Sequence, residues 1–306
     1  MKVHPVVRDI LDQMAAANRP GLADLPPAEA RQIKTMMDTL FGEGPQMHRV
    51  DDRPVTSAGA EIPVRVYYPS EKPKGYIVFY HGGGWVIGSV ASYDNFVRAM
   101  CAETNCIAVS VDYRLAPENP FPAAADDALA SALWTVALRE ERGEAKLPLI
   151  LCGDSAGGNL AAATAHALLD EGIDVALQVL IYPVIDADLE NGSYTDFAEG
   201  LYLTKESMAY FWDQYVPAHE NRVDPRAAPA KATCRNGLAP AFILTGEFDP
   251  LRDEGEAYGE QLRRAGIVAD IKRYPGMIHG FLALRTLAEP AAEANRDVYE
   301  AIKRVI

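Results

Sequence analysis

Short apolar runs and stretches of helical period alternate along most of the chain. Tyr76 to Tyr80, Ile107 to Val111, Leu147 to Cys152, Ala176 to Ile181 and Ala241 to Thr245 are continuous enough to be strands buried on both faces. Ile62, Val64, Val66 and Tyr68 alternate with other residues, which predicts a strand with one buried face. Val268 to Tyr274 mixes Val268 and Ile271 with Asp270, Lys272 and Arg273, a pattern expected of a strand at or near a sheet edge. Helical stretches fall between these runs, at about 93–104, 122–138, 160–169, 254–265 and 292–305. Strands alternating with helices predict an α/β fold, a mostly parallel sheet flanked by helices on both faces.

Two stretches fall outside that alternation. Val6, Val7, Ile10, Leu11 and Met14 recur at helical spacing, as do Ile33, Met36, Met37 and Leu40, and Pro26-Pro27 suits the start of the second helix. Between Val184 and Pro217 the strands lapse, and Tyr202, Met208, Phe211, Trp212 and Tyr215 crowd a segment too long for a simple connection. Each apolar stripe must cover something, either the ordinary core or a site that the two stretches cap together.

The chemistry centres on Gly153-Asp154-Ser155-Ala156-Gly157, between a predicted strand and a predicted helix. G-x-S-x-G in that setting is a nucleophile elbow, a turn so sharp that its serine is strained and projects above the sheet. A serine hydroxyl needs a base, and the base an orienting acid. Asp249 and His279 follow in the order Ser, Asp, His, each just past the end of a predicted strand, where ligand sites of such sheets gather. Asp253 and Glu254 are placed inside the next helix, and His166 and His219 are assigned structural positions. His81-Gly82-Gly83-Gly84 leaves its strand with no glycine side chain to block a ligand, and matches a motif that lines oxyanion holes. Gly83, Gly84 and Ala156 are the expected N–H donors, with Gly82 counted in the same loop and His81 its brace. No Gly-Lys-Ser/Thr follows, which excludes a P-loop.

Composition narrows the picture only slightly. The 306 residues are 49% hydrophobic and 24% charged, enough for one large core, and the formal net charge of −14 argues against nucleic acid or an anionic membrane as partner. Cys101, Cys106, Cys152 and Cys234 have no metal spacing, no H-E-x-x-H occurs, and neither a metal nor a cofactor is expected. The first residues lack an apolar signal core, and no run reaches a membrane span, so a cytoplasmic protein with reduced thiols is expected. The sequon Asn191-Gly192-Ser193 carries no weight in that compartment.

The ordered motifs make the chain resemble the hormone-sensitive-lipase-like esterases, the bacterial family IV carboxylesterases. The resemblance spans about 62–281 and rests on His81-Gly82-Gly83-Gly84-Trp85, the stretch Asp112-Tyr113-Arg114-Leu115-Ala116-Pro117-Glu118, the elbow through Asn159, the stretch from Asp249 to Gly255, and His279-Gly280-Phe281. Asn119 and Ala228 depart from the residues many relatives carry, away from the chemistry. The resemblance implies an α/β-hydrolase fold with an eight-stranded sheet, Ser155, Asp249 and His279 as triad, and hydrolysis of short- to medium-chain acyl esters, small molecules needing no cofactor. It also implies a helical cap, from residues 1–45 and 185–216, over a catalytic domain of 46–184 and 217–306. Trp85, Met36, Met37, Phe211, Trp212 and Tyr215 are then expected around the acyl pocket, Tyr113 to Glu118 as a brace, and the edge position of the last strand offers a place for a homodimer. A receptor-like member without turnover is the rival. Plant gibberellin receptors resemble the family but lack the triad histidine, which His279 supplies here. An amidase or a long-chain lipase is the alternative among enzymes.

Overall fold

The computed structural model describes residues 2–18, 20–38 and 42–306; the Met37 side chain and all of Leu40, both assigned above to an apolar helix face, lie outside the described residues. In chain order the elements are α1 (Pro5–Ala17), α2 (Pro27–Asp38), β1 (Arg49–Ser57), β2 (Ala60–Tyr68), β3 (Tyr76–Tyr80), α3 (Asp94–Thr104), β4 (Ile107–Val111), α4 (Ala123–Glu141), β5 (Leu149–Asp154), α5 (Ala156–Asp170) and β6 (Leu177–Ile181). There follow α6 (Gly192–Asp196), α7 (Lys205–Tyr215), β7 (Ala241–Phe248), α8 (Arg252–Arg264), β8 (Ala269–Ile278) and α9 (Glu289–Lys303).

Among the described residues, eight strands form one sheet in the order β1-β2-β4-β3-β5-β6-β7-β8. The β1–β2 and β2–β4 pairings are antiparallel and the rest parallel. The inner strands bury alternate residues on opposite faces. Tyr76, Val78 and Tyr80 of β3 join one apolar core, with Leu149 and Leu151 of β5. Ile77 and Phe79 join the other, with Ile150 and Cys152. A side-chain period of two in a strand covered on both sides produces the unbroken apolar runs of the sequence.

The two stretches outside the alternation pack differently. Val7 and Leu11 of α1 enter the core shared with α3 and α9, and the His4 N–H donates to Gly276 O at the far end of β8. Ala30 of α2 joins the opposite core, which also takes in Leu203, Met208, Phe211, Trp212 and Tyr215 from the long insertion. Side chains cap both helices of that insertion. Asn191 Oδ1 accepts from the Tyr194 N–H ahead of α6, and Thr204 Oγ1 from the Ser207 N–H ahead of α7. All four cysteines are free, three of them buried, and burial pushes the Cys106 thiol up to about 11. No helix among the described residues is long and apolar enough to cross a membrane.

Candidate active site

Ser155 stands between β5 and α5 with φ 54° and ψ −118°, a left-handed conformation that a non-glycine residue holds only when its surroundings impose it. Glycine makes the turn possible on both sides. A Cβ on Gly157 would overlap the Tyr80 carbonyl, and one on Gly153 the Gly157 carbonyl. The Ser155 N–H donates to Ile181 O on β6, while Ser155 O accepts from Asn159 and Val184.

His279 follows β8, and its Nε2 lies 3.0 Å from Ser155 Oγ. Its Nδ1 lies 2.8 Å from Asp249 Oδ2, and Asp249, just past β7, is fully buried. The other Asp249 oxygen accepts the Leu251 N–H at 2.9 Å, so backbone and imidazole together fix the carboxylate. Asp253 is turned away, its Oδ2 accepting the Ser193 N–H at 2.8 Å. Glu254 is buried and accepts the Ile185 N–H, and desolvation raises its carboxyl well above the ordinary range. His166 bonds the Tyr258 hydroxyl of α8 rather than any triad member and is pushed down to about 4 by burial, while the exposed His219 lies beside Asp213.

The glycine loop turns over this relay. Gly83, Gly84 and Trp85 have φ of 119°, 58° and 58°, and Gly83 O closes the turn by accepting the Val86 and Ile87 N–H groups. Gly82 does not serve as the sequence suggests. Its N–H donates to Asp154 Oδ1 at 2.8 Å and is therefore spent on bracing the loop against the elbow. Asp154 also accepts the Tyr93 hydroxyl at 2.9 Å, and its burial raises the carboxyl to about 6 against the pull of both bonds. His81 is a brace, as expected. Burial lowers it to about 4, it stacks on Tyr113 at 4.3 Å, and the Tyr113 hydroxyl donates to His81 O. Arg114 anchors the stretch to α4 by a two-pronged contact with buried Asp127, and the Ala116 N–H donates to Trp85 O, so Tyr113 to Glu118 does act as a scaffold for the loop.

The expected pocket residues separate. Phe211 lies directly on the glycine loop, where a Cβ on Gly84 would run into its ring. Trp85, Trp212 and Tyr215 are fully buried, with Trp85 stacked on Tyr215 at 4.2 Å and 5.0 Å from Trp212. They form a wall behind the loop and offer a ligand no surface, contrary to expectation. Met36 fails for the opposite reason. It is 71% exposed, because its position on α2 faces away from the packed side that Ala30 marks. Met37 lies outside the described side chains.

Two residues at the site escape sequence reasoning. Tyr182, with φ 34°, sets its ring against His279 at 4.7 Å. Asp154 is the x of the elbow motif, a position where the motif itself demands no particular side chain. The signal the sequence offered was only an acidic residue two positions past the apolar run Leu147 to Cys152.

Known proteins resemble this chain over nearly its whole length. A family model described as alpha/beta hydrolase fold matches residues 77–283. Carboxylesterase NlhH of Mycobacterium tuberculosis is 36% identical, over 99% of this chain and 96% of its own length. Ethyl acetate hydrolase of Pseudomonas putida is 33% identical, over 90% and 88%. A hyperthermophilic esterase from the archaeon Pyrobaculum calidifontis superposes with a TM-score of 0.93 at 37% identity, covering 99% of both chains.

Proposed function

The chain belongs to the α/β-hydrolase family, as a carboxylesterase of the hormone-sensitive-lipase-like group, and from that premise we propose how its residues divide the work of ester hydrolysis. The observation that carries the reading is the unbroken relay from Ser155 Oγ to His279 to buried Asp249, set on a strained elbow. Ser155 attacks the ester carbonyl while His279 Nε2 takes its proton. The negative charge on the tetrahedral intermediate meets the N–H groups of Gly83, Gly84 and Ala156. His279 then protonates the leaving alcohol, and a water activated by the same imidazole releases the acid. Asp249 keeps the proton on Nδ1 and stabilises the imidazolium.

The substrates are small esters of short- to medium-chain acids, with Phe211 and Tyr182 bordering the reacting carbonyl. The cap over the catalytic domain of 46–184 and 217–306 is assigned to residues 1–45 and 185–216, with α2 and α7 sharing one core while α1 packs beside α3 and α9. The cytoplasm is the proposed compartment, supported by the free thiols. A homodimer through β8 is proposed because β8 ends the sheet order and leaves one edge open. A single species of monomer mass in light scattering would remove it.

A fluorophosphonate probe and an acyl-length series of p-nitrophenyl esters test the chemistry. The wild type should label on Ser155 and turn over acetyl to octanoyl esters. Ser155→Ala should do neither, with unchanged circular dichroism, since the side chain is small and sits in the site. Turnover by Ser155→Ala near the wild-type rate would end the assignment.

A further inference from the structure

Arg31 lies on α2, outside the strand-helix alternation, yet it reaches into the support of the glycine loop. Its Nε donates to Val86 O at 2.8 Å, and one terminal nitrogen donates to Ala116 O at 2.9 Å. The same guanidinium grips Glu118 through both terminal nitrogens, at 2.9 and 2.7 Å. The loop it touches is the outgoing limb of the turn that carries Gly83 and Gly84. Gly83 O holds Val86 and Ile87, Ala116 N–H holds Trp85 O, and Arg31 ties Val86 O to Ala116 O across that joint. Three successive residues with positive φ keep their shape only if their flanks are held. On the incoming side the hold comes from Asp154 and Tyr113, within the hydrolase core. On the outgoing side part of it comes from α2.

We propose that Arg31 is a positioning residue for ester hydrolysis, which through the Val86 and Ala116 carbonyls sets the two N–H groups of Gly83 and Gly84 that receive the oxyanion. The inference rests on the oxyanion role given to that loop under the proposed function. Arginine suits the task because one rigid fork meets two carbonyls and a carboxylate together, which lysine, whose three N–H donors all radiate from one nitrogen, cannot do. The ion pair is not the point. Glu118 is half exposed, and such pairs contribute little to stability. A donor array misplaced by even an ångström costs rate, whereas ground-state binding of the ester barely feels it.

The test uses the full chain with Arg31→Ala, Arg31→Lys and Glu118→Gln. It reads kcat and KM on p-nitrophenyl butyrate, inhibition by a trifluoromethyl ketone, and the melting temperature. The ketone adds reversibly to the serine hydroxyl and places an oxyanion in the hole. For Arg31→Ala we expect kcat to fall about 10- to 100-fold. Its KM should move less than about twofold, the signature of an interaction made in the transition state alone. Ketone affinity should fall in step with kcat. Arg31→Lys should recover part of both, and Glu118→Gln, which keeps both carbonyl contacts, should stay near wild type. A rise in KM with kcat and ketone affinity intact would overturn the inference and make Arg31 a binding residue of the cap. So would a loss in Glu118→Gln as large as that in Arg31→Ala, or losses that merely follow melting temperature across the three variants. A wild type that neither turns over esters nor labels at Ser155 would be a failure of the functional reading itself, visible before any variant is made.

Discussion

Asp249 and Asp253 are four residues apart and chemically identical, and only their backbone settings separate them. Asp249 leaves β7 ahead of α8 and meets His279, while Asp253 is already in the helix and caps the chain at Ser193. Asp249→Asn should keep the fold and lower kcat by about four orders of magnitude, because the amide favours the wrong imidazole tautomer. Asp253→Asn should leave kcat within a few-fold of wild type, and a larger loss there would reverse the assignment. The triad was legible because chain order and strand ends are sequence properties. The part played by Gly82 was not. A motif names the glycines of a loop but not which N–H is already bonded, and that bond depends on a carboxylate 72 positions away. The same close packing makes Gly157→Ala a disruptive change. Its methyl has nowhere to go beside the Tyr80 carbonyl, so the variant should fold poorly or lose serine labelling with the elbow displaced.

At the level of elements, the inner strands were readable because both their faces are buried. β1 was not. Its nine residues include Arg49, Asp51, Asp52 and Arg53, and only Val55 and Ser57 are buried. What makes it a strand is nine-residue pairing with β2 at the sheet edge, a tertiary cause that leaves no apolar pattern. The insertion's helices were legible as an aromatic cluster outside the sheet, but not the division of labour within α7. Phe211 and Trp212 are adjacent and point to different tasks, one against the glycine loop and the other into the wall behind it. Trp212→Ala should destabilise the protein by roughly 3–5 kcal/mol in denaturant unfolding, the usual cost of emptying a fully buried aromatic site. Phe211→Ala should cost less stability and move the best acyl length upward, since each further buried methylene is worth about 0.8 kcal/mol once space for it exists. An acyl profile unchanged by Phe211→Ala would place that ring outside the acyl path.

Across the whole molecule, burial sets titratable groups against one another, and acid stability becomes a balance. His81 and His166 are pushed down from 6.5 to about 4, so between those values the unfolded chain binds their protons and the native protein does not. Stability through these groups is full above 6.5 and is lost as pH falls toward 4. Asp154 runs the other way. Its carboxyl is raised from 3.8 to about 6, so within that window the native state holds the extra proton and acidification favours the fold. Glu254, also raised, adds to the same side. The opposed terms flatten the wild-type profile, and removing one of them should tilt it. His166→Gln suits the test, because His166 bonds the Tyr258 hydroxyl away from Ser155 and an amide can keep that bond. Unfolding free energies from denaturant titrations at pH 7, 6, 5 and 4.5 should show the wild type losing stability relative to His166→Gln at each step down. A constant difference between the two proteins would mean that His166 titrates as it does in water, and that desolvation beneath α5 is not what holds it neutral.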